Sequence, residues 1–258
     1  MKLRLLPSTF EKDGSASPRQ HLTCFVLNDS VAFDAGSLAM AITEADRDKI
    51  GDIVLTHAHL DHIAGLPLFI DDQFSTLTKP IRIYAGQDVI DVLERDIFNW
   101  SVYPRFSELR NEYGAVVEYC PIENGKGFDV GPLVVFPVAV DHKVPSSGFL
   151  ISDGSTTIAL TGDTAGLNDF WNVLADERNL KTLLVECAFP NELEDLAKSS
   201  YHMTPKALEE ELKKFDHPEC RIYVINIKPA YRDQVIGQIA ELKIPNLSVL
   251  EVGREYTW

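Results

Sequence analysis

The chain has 258 residues, 45% hydrophobic and 24% charged, enough apolar matter for a large core and near the upper size of one domain. A formal charge of −15 repels long nucleic acid from the average surface, although a local metal site still accepts one phosphate, so RNA and DNA are disfavoured as substrates. MKLRLLPSTFEKDG is too short in apolar run for a signal-peptide core, no later stretch approaches a membrane span, and Cys24, Cys120, Cys187 and Cys220 show no C-x-x-C or disulfide spacing, which reads as a cytoplasmic enzyme with free thiols and no membrane contact.

In chain order, CFVLN and VAFDAG form the first hairpin, split by Asp29-Ser30, and Asp34-Ala35-Gly36 ends its second strand in a turn. DIVLT, residues 52–56, is a strand that delivers the chain into HAHLDH. Residues 87–99 place Val89, Ile90, Leu93 and Ile97 on one helical face, as Val235, Ile236, Ile239 and Leu242 do later. LVVFPVAV (133–140), SGFLIS (147–152), TTIALTGD (156–163), KTLLVECAF (181–189), RIYVINI (221–227) and LSVLEV (247–252) are strands or strand ends. Short strands alternate with amphipathic helices throughout, without a repeat or linker, so one α/β domain over 1–258 is expected.

His57-Ala58-His59-Leu60-Asp61-His62 sets three imidazoles and a carboxylate at the end of a strand. In an extended segment alternate side chains share a face, so His57 and His59 can grip one ion. Asp61 and His62 follow as the chain turns into the apolar IAGLPLFI and can address a second ion nearby. His142 follows the strand 133–140, and Asp163 follows TTIALTG. Taken singly, a histidine after a strand is an ordinary surface residue and T-G-D a common turn; it is the joint pattern that points to a metal centre.

H-x-H-x-D-H, then a distant His after a strand, then T-G-D resembles the metallo-β-lactamase superfamily over essentially the whole chain. The resemblance implies a four-layer αββα sandwich, with His57, His59 and His142 on one metal, Asp61 and His62 on another, and Asp163 bridging both. Neutral imidazoles and carboxylates suit one or two divalent ions, zinc first and manganese or iron next, and two close ions acidify a bridging water into a nucleophile.

His142-Lys143-Val144-Pro145-Ser146-Ser147-Gly148, His202-Met203-Thr204-Pro205 and Ile225-Asn226-Ile227-Lys228-Pro229 resemble the phosphodiesterase branches: class II cyclic-nucleotide phosphodiesterases and tRNA 3′-processing endonucleases. His202 precedes a helix capped by Thr204 with Pro205 in its first turn, and is the candidate acid for a leaving oxygen alongside Asp61 in the catalytic set. A capping or buried structural histidine and direct metal ligation are the alternatives. The class II enzymes carry T-H-x-K-P, whose His binds the second metal; Asn226 stands there in this chain. An amide oxygen is a harder and weaker donor, so the second site is expected to hold zinc less tightly or to prefer manganese or magnesium.

Lys143, Ser146, Ser147 and Lys228 lie nearest the ligand motifs and are candidates for holding phosphodiester oxygens, with solvated lysines and turn serines as the alternative. Glu186 is expected either to fix the far nitrogen of a histidine or to cap the next helix. His21 and His217 match no ligand position. In FNWSVYPRF, the residues Phe98, Trp100, Tyr103 and Phe106 suit core packing first, then base stacking or a homodimer contact. The leading expectation is hydrolysis of a small phosphodiester such as a 3′,5′-cyclic nucleotide; a tRNA endonuclease, a lactone or thioester hydrolase and a non-catalytic metal-binding protein are the alternatives.

Overall fold

Leu3 and Leu5 point inward while Lys2 and Arg4 stay partly exposed, the period-two pattern of a half-buried strand, and Lys2–Leu5 is the first strand, β1. The computed structural model describes residues 1–258, which divide into two compact units: Met1–Glu123 with Val252–Thr257, and Asn124–Glu251 with Trp258.

In the first unit β1 pairs antiparallel with β2 (Phe25–Leu27) and with β16 (Glu255–Thr257). The predicted hairpin joins β2 to β3 (Val31–Phe33), and its turn puts Asn28 and Asp29 at φ of 47° and 58°, a left-handed pair that these side chains tolerate. From β3 onward the pairing becomes parallel, through β4 (Asp52–Val54), β5 (Ile81–Gly86) and β8 (Val117–Ile122), while β6 (Arg110–Asn111) and β7 (Gly114–Ala115) make a separate small hairpin. Asp52 and Arg82 face each other across β4 and β5, with Nε 2.6 Å from Oδ1. Helices α1 (Leu38–Ala41), α2 (Glu44–Arg47), α3 (Leu60–Ile63), α4 (Leu66–Gln73) and α5 (Gln87–Val92) accompany the sheet.

The helix expected over 87–99 is α-helical only to Val92; Leu93–Ile97 winds as a π-turn closed by Phe98 N–H on Leu93 O at 2.8 Å. The wider turn lets two residues five apart, Leu93 and Phe98, both bury completely. Phe106 is also in this core and Tyr103 packs against it, whereas Trp100 is 55% exposed.

In the second unit β9 (Phe128–Val130), β10 (Leu133–Ala139), β11 (Ser147–Ser152) and β12 (Thr157–Leu160) are antiparallel neighbours, and β12, β13 (Leu180–Glu186), β14 (Arg221–Ile225) and β15 (Leu247–Val249) are parallel. Helices α6 (Asn168–Leu174), α8 (Pro205–Leu212) and α9 (Arg232–Glu241) pack Phe170, Trp171, Leu208, Leu212, Val235 and Ile239 into this unit's core, while α7 (Glu194–Ser200) buries Ala197 in a small cluster with Ala188 and Phe189. As expected, Thr204 caps α8, accepting from Ala207 N, and Pro205 opens it.

Each sheet has seven strands, three antiparallel pairings followed by three parallel ones, so the two units repeat one topology that the sequence does not display. All four cysteines are free thiols; Cys24, Cys187 and Cys220 are buried, and burial pushes the first two well above the ordinary thiol value and Cys220 up to about 12.

Candidate functional site

In the first unit the parallel strand β4 hands the chain to Thr56, His57 and His59, and α3 then carries Asp61 and His62. His57 and His62 are buried, and their ring centroids lie 4.1 Å apart, with the His59 ring 4.7 Å from that of His57. Behind them stands Asp34, 1% exposed and at φ 57°, in the turn that ends β3. Its carboxylate accepts from Thr56 N at 2.8 Å and Thr56 Oγ1 at 2.9 Å, and meets His62 Nδ1 at 2.7 Å. Thr56 Oγ1 in turn lies 2.9 Å from His57 Nδ1.

With the carboxylate as final acceptor, the proton order follows: His57 Nδ1–H to Thr56, Thr56 O–H to Asp34, His62 Nδ1–H to Asp34. Both imidazoles are thereby held as tautomers whose Nε2 lone pair suits an ion.

The backbone fixes this loop as firmly as the side chains do. Thr23 N donates to Asp61 O at 2.8 Å, Gly36 N to Thr23 O at 2.8 Å, Ala35 N to His62 O at 2.7 Å and Gly65 N to Ala35 O at 3.0 Å. A Cβ on Gly36 would stand 1.9 Å from Asp61 O, and one on Gly65 2.6 Å from Ala35 O, so only glycine allows the two turns to meet.

In the second unit His142 follows β10, with Nδ1 3.0 Å from Tyr201 O; Tyr201 ends α7 at φ 58° and so turns its carbonyl to the ring. Asp163 follows β12 through Gly162 at φ 64°, and is 2% exposed. Asn226, at φ 57° beyond β14, donates its Nδ2 to Asp163 Oδ1. Glu186, the fully buried last residue of β13, takes His202 Nδ1 on Oε1 and Met203 N on Oε2 at 2.9 Å. Donor atoms of His142, Asp163 and His202 lie within 4.8 Å of one another.

Burial pushes the Glu186 carboxyl up, against the pull of His202. Burial alone would lower the His202 imidazole, but its hydrogen bond and charge contact with Glu186, aided by Asp163, raise it above the ordinary value. The pair therefore keeps its shared proton to higher pH than a free histidine would.

The residues expected to touch substrate are less uniform. Lys143 is exposed and sets its Nζ 5.1 Å over the Tyr201 ring. Ser147 is buried and donates to Asn124 Oδ1 at 2.8 Å, and Ser146 donates to Val144 O. Lys228 is half-buried at the entry to the 3-10 turn Pro229–Tyr231, its N–H on Ala188 O. His21 is exposed, and His217 Nε2 meets Leu174 O at 2.8 Å, a structural contact. Asp34, Thr56 and the Tyr201 carbonyl were not picked out in the sequence; a D-A-G turn closing the strand beside the one that bears the histidines is the signal that marks Asp34.

Imidazoles whose Nδ1 atoms are engaged, at His57, His62 and His142, and the buried Asp163 carboxylate are donor types that fit divalent transition ions, and within the second unit His142, Asp163 and His202 come within 4.8 Å of one another.

A family profile described as a β-lactamase superfamily domain matches residues 30–223. A Yersinia pestis protein named "Probable 3′,5′-cyclic-nucleotide phosphodiesterase" is 30% identical over 296 aligned residues, 94% of this chain and 82% of its own. Unliganded yeast PDE1 superposes with a TM-score of 0.79 over 98% of both chains at 17% identity. The metallo-β-lactamase fold protein YhfI from Bacillus subtilis does so at 0.72 over 99% of both, at 16% identity. The two structural likenesses bear on the fold, which is the expected mixed α/β arrangement of two sheets flanked by helices.

Proposed function

Given that the chain belongs to the β-lactamase superfamily, we propose that it is a metal-dependent phosphodiesterase acting on a small phosphodiester such as a 3′,5′-cyclic nucleotide. The observation that carries this reading is His202, held by buried Glu186 beside His142 and Asp163, since a phosphodiester needs a proton for its departing oxygen and this imidazole is built to keep one. The relationship to the Yersinia pestis protein supports the same substrate class.

In this proposal the two units act as one hydrolase domain. His57, His59 and His142 would hold one ion and Asp61 and His62 another, with Asp163 shared and Asn226 beside it; zinc suits the donors first, manganese or iron next. Divalent ions there would supply Lewis-acid stabilisation of the negative charge that builds on the phosphoryl oxygens.

Asp61 would take the proton of the attacking water while His202 gives its own to the departing oxygen, so one P–O bond forms as the other breaks and the proton count closes. Glu186 would hold the His202 ring through Nδ1, aiming Nε2 at that oxygen. Lys228 and Lys143 would pair with the non-bridging oxygens. Ser147, whose hydroxyl is committed to Asn124, would contribute by fixing its loop.

A charge of −15 favours a small substrate over tRNA. No helix is long and apolar enough to cross a membrane, and a cytoplasmic place of action is part of the proposal, as is homodimer formation through the exposed Trp100 region. The test is release of 5′-AMP from 3′,5′-cyclic AMP by protein stripped of metal and reloaded with zinc, manganese or iron. Chelator-sensitive turnover is expected; no turnover with any ion refutes the reading.

A further inference from the structure

Phe189 has no part in the chemistry above, yet its ring meets the side chain on which proton delivery depends. It is buried, and its centroid lies 5.6 Å from that of the His202 imidazole with 68° between the planes, an edge-to-face contact. Tyr231 backs the same ring at 5.9 Å.

An imidazole has two side-chain torsions, and the second is broad. The bond from His202 Nδ1 to Glu186 Oε1 sets one distance and leaves the ring one pivot, so Nε2 can still swing. A flat ring packed against the imidazole closes that pivot. The main chain keeps the two rings together: Ala188 N and Phe189 N both donate to Met203 O, at 3.0 Å and 3.3 Å, and His202 N donates to Ala197 O at 2.9 Å. Just beyond Phe189 the chain is tied to its neighbours again. Asn191 N donates to Gln238 Oε1 and Asn191 Oδ1 accepts from Lys206 N, each at 2.9 Å. The Glu192 carboxylate accepts from Gln234 Nε2 at 2.7 Å and from Gln238 Nε2 at 2.9 Å, so α9 anchors the segment that carries Phe189.

We propose that Phe189 is a positioning residue for proton delivery: its ring stops the swing of the His202 imidazole, and α9 holds Phe189 in place through Asn191 and Glu192. This rests on the phosphodiesterase reading above and deepens it. The step served is transfer of the Nε2 proton to the departing oxygen as its P–O bond breaks, with the electron pair of that bond staying on the oxygen. A departing ribose oxygen needs this proton, whereas p-nitrophenolate spreads its charge over ring and nitro group and leaves without one.

The test is kcat and KM for 3′,5′-cyclic AMP and for bis(p-nitrophenyl) phosphate, read on the same metal-loaded samples of wild type, Phe189→Met, Phe189→Leu and Val235→Ala. Any unfolded fraction cancels from the ratio of the two kcat values. Methionine fills the space with a flexible chain, and Val235→Ala opens a cavity in the core beside α9 as the control for loosening alone. In both Phe189 variants kcat for cyclic AMP should fall about tenfold to a hundredfold relative to bis(p-nitrophenyl) phosphate, the cost of a misaimed group, with both KM values and zinc affinity as in the wild type. Val235→Ala should keep the wild-type ratio. An unchanged ratio in the Phe189 variants overturns the proposal, and so does the same change in Val235→Ala, which would trace the effect to general loosening. Weaker zinc binding by the Phe189 variants also overturns it, since His202 would then be a ligand and not the acid. Wild type that turns over no cyclic AMP refutes the broader reading and takes this inference with it.

Discussion

Replacing Asp34 by asparagine tests whether a residue outside the ligand set governs metal affinity. Asparagine keeps the shape and accepts the left-handed φ of 57°. Its one carbonyl oxygen can still serve Thr56, but its NH2 then confronts His62 Nδ1, which in the wild type meets carboxylate at 2.7 Å. Two donors cannot face each other, so His62 must shift its proton to Nε2, the nitrogen proposed to face the ion. The lost charge-assisted bond costs roughly 1.5–3 kcal/mol of stability, about 3–12 °C of melting temperature for a chain of this size. Loss of such an outer partner should weaken zinc binding roughly 10–100-fold. Zinc competition titration and calorimetric melting read the two effects separately. A variant that melts lower yet binds zinc as the wild type does would show that Asp34 only braces the fold, and the tautomer argument would be wrong.

Gly36→Ala forces a methyl to 1.9 Å from Asp61 O, so the metal loop must shift; the melting temperature should fall by the equivalent of about 1–3 kcal/mol or more, and an unchanged melt would contradict the close approach. Glu186→Gln removes the partner that raises His202, so the alkaline limb of the kcat profile should move to lower pH and kcat should drop about tenfold or more; a limb that stays put assigns the proton to another group. Asp46 is depressed from 3.8 to about 2 by Lys49 and Thr43, with Arg4 assisting. A carboxyl lowered on folding stabilises the protein above its unfolded value and loses that contribution as pH falls through the folded one. Wild type should therefore exceed Asp46→Asn in denaturant midpoint at neutral pH, with the gap closing between about pH 4 and pH 2; a gap that persists at pH 2 refutes the assignment.

The candidate ligand cluster stood out in the sequence because imidazoles and carboxylates clustered at strand ends are chemically rare, and the first hairpin because the polar Asp29-Ser30 splits two apolar runs. The strand β1 was not legible, since its partners are residues 25–27 and the far end of the chain at 255–257, a pairing no local window contains. Nor was β8, where Pro121 and a mixed burial pattern blur the period. The helix over 87–99 was half right: side-chain spacing reports the buried face, but the π-turn depends on Phe98 finding the core. Glu186 was anticipated as either a histidine partner or a helix cap, and the structure favours the first: Oε1 takes His202 Nδ1 and Oε2 takes the N–H of Met203, which lies ahead of α8, a helix capped by Thr204. Asp34 escaped notice because one aspartate before Ala-Gly looks like any turn; only the fold brings it against His62.

The buried thiols give each half of the molecule its own chemical clock. Cys24 lies in the core of the first unit, Cys187 and Cys220 in that of the second, and Cys120 alone is partly open to solvent. A thiol reagent should therefore modify Cys120 first, slowed by the burial that raises its thiol, and reach the others only when their surroundings open. The order in which Cys24 and Cys187 react would time the loosening of the two sheets independently, residue by residue, in the unmodified chain.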